Sequence, residues 1–357
     1  MREQNLLAPG MRIFAAEDNN SRLIPIDSGA ALVLPTELAD YPIIEHEGRT
    51  DERIDTDWWA HLRNLLGDEI VEAGGEAWPS SHEFFADMMI VRLEEEVAQY
   101  SSEIATAKLL SHPHIRLVLS DAGVLGELRI RDLTPIGARL EDKIVVEQIP
   151  EDVASTRVLV KESGRSILCD PTRAYFSTKL QSERLETLEL AKELRSLLDR
   201  PLRVCDPFCG VGPALATLLG EPDLVGELLA TDLNPDAVEL LFDNLRRWDR
   251  KEYPVGPNPV TNLHHDRIAG LADATELQHN PELIGRWDLL LVNLPHRTIE
   301  FLPALIPLLD RTNTSMIRGR VIVAESEIED ANEAIQNALP PRLQGTPEPT
   351  LKIKRDY

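Results

Sequence analysis

Two acidic residues stand where apolar strands would end and aim them at a ligand. The run Asp206-Pro-Phe-Cys-Gly-Val-Gly-Pro213 follows the apolar stretch Leu202–Cys205 and opens a helix. Gly210 and Gly212 let the backbone come close to a ligand at a helix N-terminus, where unpaired N–H groups gather. The next strand-like run ends in Thr231-Asp232-Leu233-Asn234-Pro235. An acidic side chain at the end of a second strand can accept both hydroxyls of a ribose. The two motifs together point to a ligand that carries a nucleoside. Dinucleotide-binding proteins share this logic but show G-x-G-x-x-G with a helix-packing third glycine, whereas this chain has GVGPAL. The three cysteines, Cys169, Cys205 and Cys209, are too few for a disulfide framework and lack a zinc-type partner pair. They are expected to pack as small buried residues.

These motifs need a strand–helix scaffold, and the sequence supplies one from Pro171 onward. Strand-like runs LRVCDPF, LLATDLN, WDLLLVNLP and GRVIVAES alternate with helical stretches, after a long amphipathic region YFSTKLQSERLETLELAKELRSLLD. Such alternation predicts a doubly wound, mostly parallel sheet. KEYPVGPNPVTN reads as a surface loop. Upstream, residues 76–170 mix strands and a helix. MMIVRL reads as a strand, EEEVAQYSSEIATAKLLSH as a helix, and IRLVLSDAGVLGELRIRDL as a hairpin turning at Asp121-Ala122-Gly123. Residues 1–75 hold short strands in RLIPIDSGAALVLPT and one helix, TDWWAHLRNLLGDEIVEAGGE, closed by Gly74-Gly75. Three parts are therefore expected: a small N-terminal module (1–75), an α+β middle domain (76–170) and an α/β domain (171–357).

The chain has 357 residues and a net charge of -24. That charge alone argues against nucleic acid, because phosphates call for local Lys and Arg. The acids, however, are spread along the chain, and lysine is scarce, as in proteins of a salty cytoplasm. At molar salt the Debye length shrinks to about 3 Å, so only short-range contacts matter. A halophilic archaeal source is expected on this ground. No apolar run approaches the roughly 18 residues of a membrane span, and the start, MREQNLLAPGMRIF, lacks signal-peptide features. The reading is a cytoplasmic protein.

The order D-P-F-x-G-x-G, then D-x-N-P, resembles the class I methyltransferases that bind S-adenosylmethionine. In that family Phe208, Asn234 and Pro295 fall within the same motifs, and Asp273, in IAGLADATEL, falls where the adenine amino group is met; the plain alternative for Asp273 is a turn cap. Trp287-Asp-Leu-Leu-Leu-Val-Asn-Leu-Pro-His296 ends a strand in Asn293-Leu-Pro295, and NLPHRTIEFL resembles the narrower N-L-P-x-x-x-x-E-F-L. Upstream, Gly164-x5-Asp170-x4-Tyr-Phe-Ser177-x2-Leu180-x2-Glu183-Arg184 and Gly126-Glu-Leu-Arg129 are similar to segments of the archaeal and eukaryal tRNA (guanine-N1)-methyltransferases. The resemblance covers roughly residues 75–305. It implies a Rossmann-like class I methyltransferase domain preceded by the α+β domain and the small module. It also implies S-adenosylmethionine as cofactor, tRNA as partner and methylation of guanine N1, with position 37 as the target.

That reaction removes the N1 proton while charge builds on O6. A carboxylate can do the first and a guanidinium can stabilise the second. By motif position Glu183 corresponds to the base, Arg129 to the cation, with Arg131 next along that face as the alternative, and Asn293 to the residue that orients the base edge. No metal site is expected, and the protein is taken to be a monomer. Arg184, Arg246, Arg247, Arg250 and Arg297 could form a basic patch for RNA. Departures from the pattern are Cys209 in the first motif, Thr178-Lys179 where the family shows Pro-Arg, and Thr298 after the Asn-Leu-Pro motif. The alternatives are an aminocarboxypropyl transferase of wybutosine synthesis, which typically carries Glu at the place of Asp232, and a paralogue acting on another tRNA base.

Overall fold

The computed structural model describes residues 8, 11–16, 21–26, 41–49, 57–126, 128–141, 143–341 and 345. Contacts group the chain into two units. One comprises Met1–His82, Val91–Ser120 and Pro135–Ala154; the other comprises Glu83–Ile90, Asp121–Thr134 and Ser155–Tyr357.

In the first unit, β1 (Phe14–Ala15) and β2 (Arg22–Leu23) pair antiparallel. The remaining strands expected in ALVLPT lie outside the described residues. The expected single helix is two: α1 (Trp58–Leu66) and α2 (Asp68–Gly74). They break at Gly67, whose φ of 83° cannot continue a right-handed helix. Asp57 starts α1 by accepting from the Trp59 N–H at 3.0 Å. Trp58, Leu62, Val71 and Trp78 then pack with Ile104 and Ala107 of α3 (Ser101–Ser111) into one core.

A five-stranded sheet runs in the order β3-β4-β5-β6-β7. Its strands are β3 (Glu83–Phe85), β4 (Met88–Val91), β5 (Leu117–Leu125), β6 (Ile130–Leu140) and β7 (Lys143–Val145). The hairpin turn expected at Asp121–Gly123 is displaced. β5 runs through those residues, and the reversal comes at Gly126 and Arg129, with φ of 60° and 54°. Arg131 explains the continuation, since it holds Asp121 at 2.7 Å and Glu83 at 2.9 Å within the sheet. After α4 (Glu151–Ala154), β8 (Val158–Glu162) and β9 (Arg165–Cys169) form a hairpin.

The second unit carries the α/β layer. Long helix α5 (Gln181–Leu198) leads into β10 (Leu202–Asp206), α6 (Pro213–Gly220), β11 (Val225–Asp232) and α7 (Pro235–Asp249). Then come β12 (Thr261–His264), β13 (Arg267–Leu271), β14 (Leu289–Val292), α8 (Thr298–Leu305), β15 (Met316–Gly319) and α9 (Ile328–Ala338). The strand order is β12-β13-β11-β10-β14-β15. All neighbours pair parallel except β12, an antiparallel edge strand. The apolar runs serve both faces by alternation. Val204, Leu228, Ala230, Leu289 and Leu291 face a core with α5, α6 and α7 residues, while Cys205, Leu229, Leu290 and Val292 face the core that holds α8. This is the expected doubly wound, Rossmann-like layer.

One strand differs from its expected position. The sequence predicts GRVIVAES as the last strand, but β15 ends at Gly319, and Ile322 and Val323 are 49% and 38% exposed. The partner sets this limit: β14 pairs as far as Val292–Gly319, where its chain turns into Asn293-Leu294-Pro295. Beyond it the Ile322 N–H donates to the Pro295 carbonyl at 3.0 Å. No helix among the described residues is long and apolar enough to cross a membrane.

Candidate active site at the carboxyl ends of the parallel strands

The turn after β10 is set by its glycines. Gly210 and Gly212 have φ of 55° and 87°. A Cβ on Gly212 would lie 2.9 Å from Leu241 Cδ1 and 3.2 Å from the Trp248 ring, so the turn is pressed directly onto α7. Pro213 begins α6 at a position that needs no N–H. Asp206 is 2% exposed and accepts from the Phe208 N–H. The Phe208 ring sits edge-on to Phe301, 5.1 Å between centroids.

Asp232 ties the second strand to that turn. Its Oδ2 accepts from the Gly210 N–H at 2.7 Å and its Oδ1 from the Asn234 N–H at 2.9 Å. The Leu233 N–H is a third donor, and a carboxylate's roughly four lone-pair sites still leave room for a ligand hydroxyl. Burial pushes the Asp232 carboxyl up, and the Asn234 and Gly210 N–H groups oppose that. Asn234 caps α7 through the Asp236 N–H and donates to the Arg173 carbonyl at 2.8 Å. Asp273 is exposed and caps the next turn, accepting from the Thr275 N–H and hydroxyl at 2.9 and 2.8 Å.

A cleft opens where the strand order reverses, between β10 and β14. In doubly wound sheets ligands bind at such a reversal, at the carboxyl ends of the strands. Glu183 from α5, Asp206 from β10 and Asn293 after β14 all line it. Asn293 is exposed there. Glu183 is 7% exposed. Arg184, Arg318 and Arg320 line the cleft as well, and sequence reasoning missed the last two: Arg318 of β15 lies 3.2 Å from Glu183 Oε2 and 3.0 Å from Glu186 Oε2. MIRGRVI matches no motif, and only the pairing of β15 with β14 shows which residue reaches α5.

Arg129 is placed differently. It sits on the exposed β5–β6 turn and is not among the residues lining the cleft. Of the suggested basic group, Arg247 and Arg250 are exposed on and after α7. Arg184 is buried, bound to Glu162 at 2.6 Å and to the Ser177 carbonyl. Arg246 pairs with Asp243 and Arg297 with Glu300. A second missed residue is Asn244, fully buried on α7. It exchanges hydrogen bonds with the Leu168 backbone and donates to the Val211 carbonyl at 2.9 Å, fixing the glycine turn against β9. The cysteines are buried, and burial pushes their thiols up. Among the described residues no group of three or more His, Cys, Asp or Glu could hold a metal ion.

No protein-family model matches the chain. By sequence it is similar to tRNA (guanine(37)-N(1))-methyltransferase Trm5b of Pyrococcus abyssi, 27% identical over 225 residues, which covers 63% of this chain and 55% of that protein. It is also similar to the tRNA (guanine(37)-N(1))-methyltransferase of Paramecium tetraurelia, 28% identical over 189 residues, covering 53% of this chain and 42% of that one. The chain thus spans about half the length of these curated relatives. Its fold is similar to the solved structure of Trm5b from Pyrococcus abyssi, with a TM-score of 0.60, 21% identity and coverage of 94% of this chain and 84% of that one. It is also similar to TYW2 of P. horikoshii in complex with MeSAdo, with a TM-score of 0.55, 17% identity and coverage of 78% and 86%. The chain therefore has the Rossmann-like class I methyltransferase fold, and its curated relatives in sequence are tRNA (guanine(37)-N(1))-methyltransferases.

Proposed function

We propose that this protein transfers a methyl group from S-adenosylmethionine to N1 of a guanine in tRNA, at position 37. The observation that carries the reading is the meeting of Glu183, Asp206 and Asn293 in one cleft at the strand-order reversal. The names of the curated relatives agree with it. Asp232, with lone pairs to spare beside a turn of left-handed glycines, fits a ribose; Asp206 beside it fits the donor's positive charge. When bound, the donor supplies a methyl group activated by a sulfonium. Glu183 takes the N1 proton, and Asn293 holds the base edge in line. Asp232, rather than Glu, at the end of β11 and the Asn293-Leu294-Pro295 motif favour methyl over aminocarboxypropyl transfer. The spread of acidic residues supports action in a salt-rich archaeal cytoplasm.

The test uses purified protein in molar KCl, labelled donor, and unmodified tRNA transcripts bearing guanine or adenine just 3′ of the anticodon. Digestion and mass spectrometry should give 1-methylguanosine from the guanine transcript alone. An aminocarboxypropyl adduct, or no product despite donor binding, would defeat the proposal.

A further inference from the structure

Two residues that line the cleft leave the sheet side by side. Asn293 follows β14, and Arg320 follows β15. The β14–β15 ladder ends at Val292–Gly319, one residue short of both. Past that point the Ile322 N–H reaches the Pro295 carbonyl at 3.0 Å. Between the ladder and that bond stands Thr298, the first residue of α8, only 4% exposed. Its hydroxyl lies 3.0 Å from the Leu294 carbonyl and 2.6 Å from the Arg320 carbonyl. A bond back to the carbonyl four residues earlier is common for a threonine in a helix. The contact with Arg320 is not local, since it joins the exits of two strands across 22 positions of chain.

We infer that Thr298 is a positioning residue for the transfer, holding the Asn293-Leu294-Pro295 turn against the exit of β15; this rests on the methyl-transfer reading above. A hydroxyl carries one hydrogen, and here two carbonyl oxygens share it. One belongs to Leu294, next to the residue that holds the base edge. Taking the hydrogen away leaves both oxygens short of a donor in a buried place, which is costly. The turn then relaxes away from β15 and carries Asn293 with it. In-line transfer tolerates little of this, because a misplacement of about 1 Å costs on the order of 100-fold in rate.

The methyl branch of Thr298 is fitted as closely as the hydroxyl. A Cβ on Gly319 would lie 3.3 Å from Thr298 Cγ2 and 3.7 Å from the Val292 Cβ. The last ladder residue of β15 is thus a glycine pressed on that methyl, and a side chain there would push the hydroxyl off its carbonyls. Thr298 is one of the chain's departures from the family pattern, so the tie belongs to this chain. It stands where β15 stops at Gly319 instead of running on through the rest of GRVIVAES. The hydroxyl supplies a link between the two strand exits that further ladder bonds would otherwise have made.

The experiment measures single-turnover methyl transfer at saturating donor over a range of tRNA concentrations. It compares the wild type with Thr298→Val, Thr298→Ser, Gly319→Ala and the double variant Gly319→Ala/Thr298→Ser, with thermal unfolding followed in parallel. Thr298→Val, similar in size but with no hydrogen to give, should lower the maximal rate about tenfold or more. The tRNA concentration at half-maximal rate should stay within a few fold, because the loss falls on alignment and not on docking. Thr298→Ser keeps the hydroxyl and should recover most of the rate. Gly319→Ala should slow transfer by crowding the methyl, and the double variant, which lacks that methyl, should be faster than Gly319→Ala alone. A Thr298→Val protein at the wild-type rate overturns the inference, even if it unfolds at a lower temperature, because its role is then structural only. A Thr298→Ser protein as slow as Thr298→Val also overturns it, because the hydroxyl is then not what matters. If Thr298→Val does not fold, the double variant decides: a rate above that of Gly319→Ala supports the inference and an equal rate overturns it. A wild type that methylates no guanine removes the functional reading itself.

Discussion

Asp206 is the residue whose ionisation the fold perturbs most usefully. Burial pushes its carboxyl from an ordinary 3.8 up to about 7; the Phe208 N–H opposes the shift and nearby Asp232 adds to it. Raised in the folded state, the group contributes stability that is fully present below pH 4 or so and is lost as pH rises through about 7. A cationic ligand reverses the preference, because it favours the carboxylate. Affinity for S-adenosylmethionine should therefore strengthen between pH 6 and 8, and Asp206→Asn should flatten that dependence; calorimetric titration across the range checks it. A wild type with no pH dependence would show that Asp206 does not meet the donor's charge. The place of this residue was legible because an acid at the end of an apolar run, followed by two glycines, has few other uses. Its raised pKa was not, since it depends on burial and on Asp232, 26 positions away in the chain. Arg318 was invisible for a similar reason: its partner Glu183 is 135 positions away.

At the scale of elements, the glycine turn and α7 form one unit. Gly212 has no room for a Cβ against Leu241 and Trp248, and its φ of 87° disfavours any other residue. Gly212→Ala should destabilise the second unit by about 1–3 kcal/mol and weaken donor binding more than tenfold, read by thermal unfolding and by titration. Unchanged binding would mean that the turn is not the donor's cradle. The alternation of strands and helices was legible because each strand's apolar run feeds two cores at once, as Val204 and Cys205 do. Strand ends were less so. The VIV stretch past Gly319 has strand chemistry, yet β14 stops at Val292, and beyond it the ladder gives way to the Ile322 N–H bond to the Pro295 carbonyl. Gly67 and the Gly126–Arg129 reversal were hidden likewise: backbone sign depends on neighbours such as the Arg131–Asp121 pair. In the same way, a single Asn in the apolar stripe of α7 gave no hint that Asn244 bonds to β9 and the turn together.

Across the whole molecule the dominant quantity is the net charge of -24. Raising salt from about 0.1 M to about 1 M shortens the Debye length from roughly 10 Å to roughly 3 Å and screens that repulsion. Both thermal stability and tRNA binding should improve over this range, whereas a neutral RNA-binding protein loses affinity as salt rises. Weakening of tRNA binding across it would contradict the salt-adapted reading. The most direct test of the central claim is the methyl-transfer rate of Glu183→Gln beside the wild type, on tRNA with guanine at position 37, with donor affinity measured for both. The account predicts 1-methylguanosine from the wild type and a loss of about 100-fold or more in the variant, at equal donor affinity. A Glu183→Gln protein that methylates guanine at the wild-type rate would contradict it.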